Sequence, residues 1–133
     1  MNAIIDKIAW IYVVDGKVLG ARSKGKDTYY FPGGKRESGE SDAETLIREI
    51  REELSVEILP ETINEFGVFE APAHGKEEGV LVRMTCLTAD YTGELAPASE
   101  IEELAWLSSE DQGRVSAVSV LIMDKLKEMK LIS

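Results

Sequence analysis

The pattern of apolar and polar residues along the chain predicts several short strands and two helices. β-branched, aromatic and other apolar residues recur in short runs separated by glycine, proline and polar residues, as expected of strands. The predicted strands span residues 8–14, 17–22, 29–31, 62–70, 79–91 and 104–107. Asp15-Gly16 separates the first two and is a favoured two-residue turn of a β-hairpin. Loops are predicted at residues 24–28, at Pro32-Gly33-Gly34 and at residues 93–103.

Residues 42–54 carry the strongest helical pattern. Ser41, followed three residues later by Glu44, is a capping-box signature for the start of a helix. The apolar residues of this segment form one continuous stripe, made of Ala43, Leu46, Ile47, Ile50 and Leu54. A second helical pattern runs over residues 115–129. Strands interrupted by one strong helix and ended by another predict an α/β sandwich with a mixed β-sheet.

The composition is typical of a globular domain and indicates a cellular compartment for the chain. The 133 residues are 44% hydrophobic, so we expect one domain over residues 1–133 with a core of its own. A single cysteine, Cys86, excludes an intrachain disulfide and favours a reducing compartment. We find no signal-peptide pattern and no apolar run of membrane-spanning length. The chain is therefore expected to be cytoplasmic.

The charge of the chain narrows the choice of partner. The formal net charge is −10, which disfavours nucleic-acid polymers, whose binding depends on cationic side chains, and anionic membrane surfaces. A small phosphorylated substrate stays compatible with this charge if a divalent cation screens the repulsion.

The polar face of the first predicted helix is crowded with carboxylates. Glu49, Glu52 and Glu53 fall within an arc of about 100° beside the apolar stripe. Like charges at such spacing destabilise a helix, and Arg48 is the local partner that relieves them. Glutamates and a glycine-rich loop supply the hard oxygen ligands that Mg²⁺ requires. Taken alone, the same face is also typical of a solvated helix surface.

This segment resembles the Nudix box, G-x5-E-x7-R-E-U-x-E-E-x-G-U, where U is a bulky aliphatic residue. Eight of its nine specified positions are filled in register, by Gly34, Glu40, Arg48, Glu49, Ile50, Glu52, Glu53 and Val56. The preceding Phe31-Pro32-Gly33 is also similar to the family's approach to the box. The one departure is Ser55, where the family has glycine. The resemblance implies a Nudix-type α/β/α sandwich and a hydrolase that cleaves diphosphate linkages.

By position, the resemblance implies a metal site. Glu49, Glu52 and Glu53 would hold Mg²⁺, for which Mn²⁺ can substitute, with the backbone carbonyl of Gly34 as a further ligand. Arg48 would orient the glutamates, and Glu40 would support them or contact a metal-bound water. Ser55 ends the helix and contributes no side chain to the metal, so its departure from glycine concerns the geometry of the loop.

Further candidate roles come partly from the resemblance and partly from the positions of residues along the chain. Glu100 lies in a segment similar to the family's later acidic loop and is a candidate general base, and His74 is another candidate. Arg22, Tyr30, Gly33 and Gly34 are candidate substrate contacts. The expected substrate is a small nucleoside diphosphate-linked molecule. The short chain resembles MutT-like members, which act on nucleoside triphosphates. ADP-ribose is an alternative substrate, because a proline at about the position of Pro72 is associated with the ADP-ribose hydrolases of the family.

Two other functions fit the same fold. Some Nudix-like domains bind nucleotides without cleaving them, but the loss of a box glutamate that marks them is not seen here. Isomerisation of an isoprenoid diphosphate requires an additional cysteine and a glutamate in the cleft. Cys86 is the only candidate cysteine, and its position on a central strand favours burial instead. Dimers are frequent in the family, so a homodimer is also possible.

Overall fold

Ten strands and two α-helices make up the described part of the chain, residues 3–72 and 79–133, in a computed structural model. The strands are β1 (Ala3–Trp10), β2 (Val13–Val14), β3 (Lys17–Ser23), β4 (Tyr29–Tyr30), β5 (Gly33–Lys35), β6 (Glu57–Ile58), β7 (Asn64–Pro72), β8 (Val80–Thr88), β9 (Tyr91–Thr92) and β10 (Ile101–Leu107). The α-helices are α1 (Asp42–Leu54) and α2 (Ala117–Glu128), and short 3-10 helices span Pro60–Thr62 and Ser109–Arg114. In these ranges, no helix is long and apolar enough to cross a membrane.

The larger sheet is mixed. Its strand order is β5-β1-β8-β7, in which β1 and β8 run parallel and the other two pairs are antiparallel. A second, antiparallel sheet has the order β10-β3-β2, and β4 also pairs with β3. The pair β6-β9 is separate. The expected α/β class with a mixed sheet is confirmed.

Two apolar cores lie on opposite faces of β1. Ile8 and Trp10 pack in one core with the stripe of α1, while Ala9 and Ile11 pack in the other with α2. Successive side chains of a strand point to opposite faces, so the sheet lies between the two helices. From α1, Leu46, Ile50 and Leu54 are fully buried, which stabilises the fold by roughly 1.5–3 kcal/mol for each side chain.

Local signals in the sequence agree with the structure. The helix α1 spans the predicted residues, and its capping box is complete: the Glu44 amide donates to Ser41 Oγ at 3.1 Å, and the Ser41 amide donates to Glu44 Oε1 at 2.9 Å. The hairpin turn is also confirmed, because Asp15 and Gly16 both have positive φ and join the paired strands β2 and β3.

The bounds of the sheet strands differ from the prediction. β1 begins at Ala3 instead of residue 8, because residues 3–7 pair with β8 although Asp6 and Lys7 interrupt their apolar pattern. Gly33 and Gly34 are in strand β5 and not in a loop, since both pair with β1. β10 begins at Ile101 instead of residue 104. In each case the pairing partner, remote in sequence, decides the conformation.

Trp10 is the buried end of an aromatic cluster that runs from the core to the surface. Its ring has 0% exposure, and its indole N–H donates to the Ala89 carbonyl at 3.1 Å. Tyr12 stacks on Trp10 with 4.9 Å between ring centroids, and Trp106 lies 6.1 Å beyond Tyr12. Trp106 is 42% exposed.

Ser55 ends α1 in the left-handed conformation, with φ 64° and ψ 22°. Glycine adopts this conformation without the steric cost that a Cβ atom brings. We therefore expect Ser55→Gly to be neutral or to raise the free energy of unfolding by up to about 1 kcal/mol. Denaturant unfolding measures the change.

Ser38→Gly is the matched control for that measurement. Ser38 is also an exposed serine, but it does not have a positive φ, so glycine there is expected to destabilise slightly through the entropy of the unfolded chain. Clear destabilisation by Ser55→Gly would contradict a left-handed helix end.

Candidate active site

Glu53 is the most deeply buried acid of the α1 polar face, with 3% exposure. Its Oε1 atom accepts a hydrogen bond of 3.0 Å from the Gly33 amide of β5. The pKa of Glu53 is raised to about 8, chiefly by burial and also by the charges of Glu49 and Glu100, against the opposing effect of the Gly33 amide. Glu53 is therefore a buried carboxyl group with other carboxyl groups as neighbours.

Glu49 is pressed against Gly34. A Cβ atom on Gly34 would lie 2.6–2.8 Å from the carboxyl atoms of Glu49. Only glycine at this position therefore leaves room for the Glu49 carboxyl group. Arg48 donates to Glu49 Oε1 at 3.0 Å. Burial raises the pKa of the Glu49 carboxyl, although Arg48 opposes that shift.

Arg48 contacts most of the carboxylates on this side of α1. Its Nε and Nη2 atoms donate to the two oxygens of Glu40 at 2.7 and 2.9 Å, and Nη2 also donates to the Lys35 carbonyl at 3.1 Å. Glu52 lies at 3.7 Å from Nη1. A forked guanidinium of this kind fixes carboxylates in direction as well as in position.

Glu40 is held as a carboxylate. Arg48 is the largest cause that lowers the pKa of Glu40 to about 2, followed by the Glu37 amide, which donates at 2.9 Å. The Thr45 hydroxyl donates at 3.1 Å as well. With its oxygens used in this way, Glu40 supports Arg48.

Glu52 faces solvent, with 55% of its side chain exposed. Over residues 3–72 and 79–133, no three acidic, histidine or cysteine side chains converge into a complete cation cluster. Arg48 Nη1 donates to Glu49 Oε1, whereas the side chain of Glu52 is mostly exposed to solvent. The glutamates share one helix face, but they do not form a closed set of ligands.

Glu100 is brought to Glu53 by the loop before β10. The Ala98 amide donates to the Glu53 carbonyl at 2.9 Å, and the Ala96 amide donates to the Leu54 carbonyl at 3.0 Å. These bonds satisfy carbonyls that the end of a helix leaves without partners. The side chains of Glu100 and Glu53 are neighbours, and each affects the pKa of the other. The Ser99 hydroxyl, which donates at 2.6 Å, is the first cause that lowers the pKa of Glu100.

Tyr30 is affected by the charges of these acids and lines a cavity of about 400 Å³. Its hydroxyl shares a hydrogen bond of 2.6 Å with Ser23 Oγ. Burial raises the pKa of Tyr30 to about 12, and the neighbouring charges of Glu53, Glu100 and Glu49 act in the same direction. The cavity is lined by Ile5, Lys7, Ser23, Lys26, Asp27, Thr28, Tyr30, Pro72, Val82, Met84, Ser116, Ala117 and Val118.

Among these lining residues, the sequence alone singles out only Tyr30 and Pro72. Lys7 and Met84 escape sequence reasoning because they meet only through the pairing of β1 with β8, where they lie opposite each other. A lysine inside an apolar run is the one signal present in the sequence. Taken by itself, that lysine indicates an interruption of the strand and not a cavity.

Other predicted residues lie elsewhere. The guanidinium of Arg22 faces Glu103, Glu102 and the Lys26 carbonyl, so contact with substrate stays a prediction for this residue. His74 lies outside the described residues. Cys86 is fully buried, and burial raises the pKa of its thiol to about 12, which keeps it protonated and unsuited to acid-base chemistry in a cleft.

The donor set suits a hard divalent cation. Two mostly buried carboxyl groups, Glu49 and Glu53, have pKa values that are raised first by burial and then by neighbouring carboxylates. The backbone of Gly34 lies directly against one of them. A divalent cation at this point would offset the repulsion and accept oxygen ligands from both side chain and backbone.

Comparisons with known proteins identify relatives and confirm the fold. The model of the NUDIX domain matches residues 6–126. The CTP pyrophosphohydrolase of Escherichia coli (strain K12) is 33% identical over 114 residues, covering 81% of this chain and 78% of that protein. The solution structure of the E. coli ORF135 protein has a TM-score of 0.76 and 26% identity, covering 97% of this chain and 92% of that chain. The crystal structure of a MutT NUDIX hydrolase from Burkholderia pseudomallei has a TM-score of 0.77 and 19% identity, covering 94% and 99%, and confirms the fold.

Proposed function

The chain belongs to the Nudix hydrolase family, and on that premise we propose that it is a Mg²⁺-dependent pyrophosphohydrolase of a small nucleotide. The proposed reaction converts a nucleoside triphosphate and water into the nucleoside monophosphate and pyrophosphate. One observation carries the proposal: Glu49 lies against Gly34 and Glu53 accepts a hydrogen bond from the Gly33 amide, so two box glutamates lie beside the glycines of β5. Glu100 and Tyr30 are near enough to Glu53 to affect its electrostatics or be affected by it.

In this proposal the metal is held by the box. Glu49, Glu52 and Glu53 would supply carboxylate oxygens, and Gly34 would supply its carbonyl. The cation, when bound, neutralises phosphate oxygens and makes a nearby water more acidic. Arg48 positions the glutamates through its bonds to Glu49 and Glu40, which keeps their direction fixed while charge builds up.

Glu100 is the proposed general base. Its pKa is lowered, so it is ionised near neutral pH, and it lies beside Glu53 at the edge of the site. It would accept the proton of the attacking water, for which a carboxylate needs hydrogen-bond reach. Gly33 contributes rigidity: its amide holds Glu53 at 3.0 Å.

The cavity is the proposed place of the nucleoside. Its volume of about 400 Å³ is within the range of small-molecule pockets. Met84 and Val82 give it an apolar wall, while Lys26 and Asp27 add charges at its rim. The name of the E. coli relative supports a nucleoside triphosphate. ADP-ribose is the alternative that Pro72, also at the cavity, keeps open.

A substrate panel tests the proposal. The protein is incubated with Mg²⁺ and the nucleoside triphosphates (oxidised ones included), ADP-ribose, NADH and dinucleoside polyphosphates, and both products are identified. Release of a monophosphate with pyrophosphate is the expected result. Release of inorganic phosphate alone from every triphosphate would contradict cleavage at the proposed linkage.

We expect turnover to require Mg²⁺ or Mn²⁺, because the phosphates and the Glu49–Glu53 face repel each other without a cation. Excess EDTA should leave no more than a few per cent of the full rate, and added Mg²⁺ should restore it. A rate in EDTA close to that in Mg²⁺ would exclude a metal mechanism.

A further inference from the structure

Arg22 is partly buried although it carries a charge, with 20% of its side chain exposed. It belongs to β3, where it lies opposite Tyr29 of β4 and Glu103 of β10. Its Nε atom is 3.3 Å from Glu103 Oε1, and its Nη2 atom is 3.5 Å from Glu102 Oε2. The Tyr29 hydroxyl donates to the same Glu103 carboxylate, so the charge of Arg22 is well compensated.

The cavity lies on the other side of the strand. Ser23, the next residue of β3, lines the cavity with Tyr30. Since neighbouring residues of a strand point to opposite faces, Arg22 points away from the space that Ser23 lines. A direct contact between Arg22 and a ligand in the cavity does not follow from this arrangement.

Residues 24–28, which we term the cavity loop, connect the two regions. Lys26, Asp27 and Thr28 line the cavity. The loop begins with a turn in which the Lys26 amide donates to the Ser23 carbonyl at 3.1 Å, with Gly25 at φ +76°.

Two further hydrogen bonds hold the cavity loop to the rest of the protein. At its start, the Lys24 amide donates to the Glu100 carbonyl at 2.8 Å. At its middle, Arg22 Nη1 donates to the Lys26 carbonyl at 3.0 Å. The first bond joins the loop to the backbone of the proposed base, and the second joins it to the acids of β10 through Arg22.

We propose that Arg22 is a positioning residue for nucleotide specificity, which sets the wall of the nucleoside cavity by holding the cavity loop through the Lys26 carbonyl. The planar fork of arginine serves this role, since separate N–H groups bind the carboxylates and the carbonyl at once. Lysine offers a point charge with no such fork. The inference rests on the proposed function for the identity of the ligand, but the state of the loop does not depend on it.

Arg22→Gln and Arg22→Lys test the proposal by two measurements. The KM for the nucleoside triphosphate that the wild type hydrolyses best should rise about tenfold in Arg22→Gln, the size of a lost hydrogen bond to a charged group, with kcat within about twofold. Arg22→Lys should lie between Arg22→Gln and the wild type. Amide hydrogen exchange of residues 24–28 should accelerate about tenfold in Arg22→Gln. The rise in melting temperature with Mg²⁺ should be unchanged.

Arg83→Gln is the matched control. Arg83 is also a strand arginine paired with a glutamate of the neighbouring strand, Glu70, and it does not line the cavity. It should change neither KM nor the exchange of the cavity loop. Equal effects of Arg83→Gln and Arg22→Gln would mean a loss of general stability and would overturn the proposal.

A double-mutant cycle separates positioning from direct contact. If Arg22 acts through the loop, its effect on KM should be largely lost when Lys26 and Asp27 are both alanine, because the wall is already removed. Additive effects, or no effect of the loop variant, would overturn the proposal, as would unchanged exchange in Arg22→Gln. A wild type that hydrolyses no nucleotide would instead refute the proposed function, and the exchange measurement would still decide whether Arg22 holds the loop.

Discussion

Glu53→Gln is expected to lower turnover by about a thousandfold while leaving the metal-free protein at least as stable as the wild type. The rate loss corresponds to about 4 kcal/mol of transition-state stabilisation, a size expected when a metal site is disrupted. Stability should hold because glutamine keeps the shape of the side chain and can still accept the bond from the Gly33 amide. It also removes an acid that Glu49 and Glu100 disfavour.

Thermal melts with and without Mg²⁺ are the measurement that accompanies the rates. A ligand that binds only the native state stabilises it by about 2.7 kcal/mol at 100 times its Kd. The wild type should show this gain, and Glu53→Gln and Glu52→Gln should lose much of it. Glu65→Gln, an exposed strand glutamate of β7, is the control and should behave as the wild type. If the wild type gains nothing from Mg²⁺ and both variants keep their activity, the metal-site assignment is wrong.

Alanine in place of either glycine of β5 is expected to be harmful in a different way: Gly33→Ala should lower stability, and Gly34→Ala should lower turnover. In Gly33→Ala the new Cβ atom would lie 2.0 Å from the Ile8 carbonyl oxygen, at φ +143°, so the backbone of β1 or β5 must move. We expect a loss of about 3 kcal/mol in the free energy of unfolding. In Gly34→Ala the clash is with the end of the Glu49 side chain, which can swing away. That variant should fold with a loss of about 1 kcal/mol or less, but turnover should fall about a hundredfold.

Denaturant unfolding and initial rates on the same preparations separate the two. Gly113→Ala is the control, because a Cβ atom on Gly113 would meet no atom of the surrounding structure within 4 Å and this glycine has no positive φ; it should be neutral in both assays. A Gly34→Ala protein with full activity would show that the place of Glu49 beside Gly34 does not matter for catalysis. A Gly33→Ala protein of wild-type stability would contradict the tight pairing of β5 with β1.

The parts of the fold that depend on local chemistry can be predicted from the sequence. The capping residues and the stripe of α1 are encoded within one helix, and Asp15-Gly16 encodes its own turn. The strand of Gly33 and Gly34 cannot be predicted in this way, because glycine has low strand propensity and only pairing with β1 makes this segment extended.

In the candidate site too, features encoded locally can be predicted, and those that depend on remote contacts cannot. The box glutamates follow from helical spacing and from the resemblance, whereas only its likeness to an acidic loop points to Glu100. The position of Glu100 beside Glu53 depends on amides that cap the end of α1, which no periodicity reveals. Arginine suits phosphate, so the sequence favours Arg22 as a substrate contact; its neighbours Glu102 and Glu103 become adjacent only when β10 pairs with β3.

The aromatic cluster around Trp10 gives the protein two optical reporters with different environments. The chain has two tryptophans. Trp10 is buried, and Trp106, on β10 of the second sheet, is exposed to solvent. A water-soluble quencher such as acrylamide should therefore remove the red-shifted emission of Trp106 and leave the blue-shifted emission of Trp10. Fluorescence recorded with the quencher present during the melts described above would then report on the core alone, without a label or an added dye.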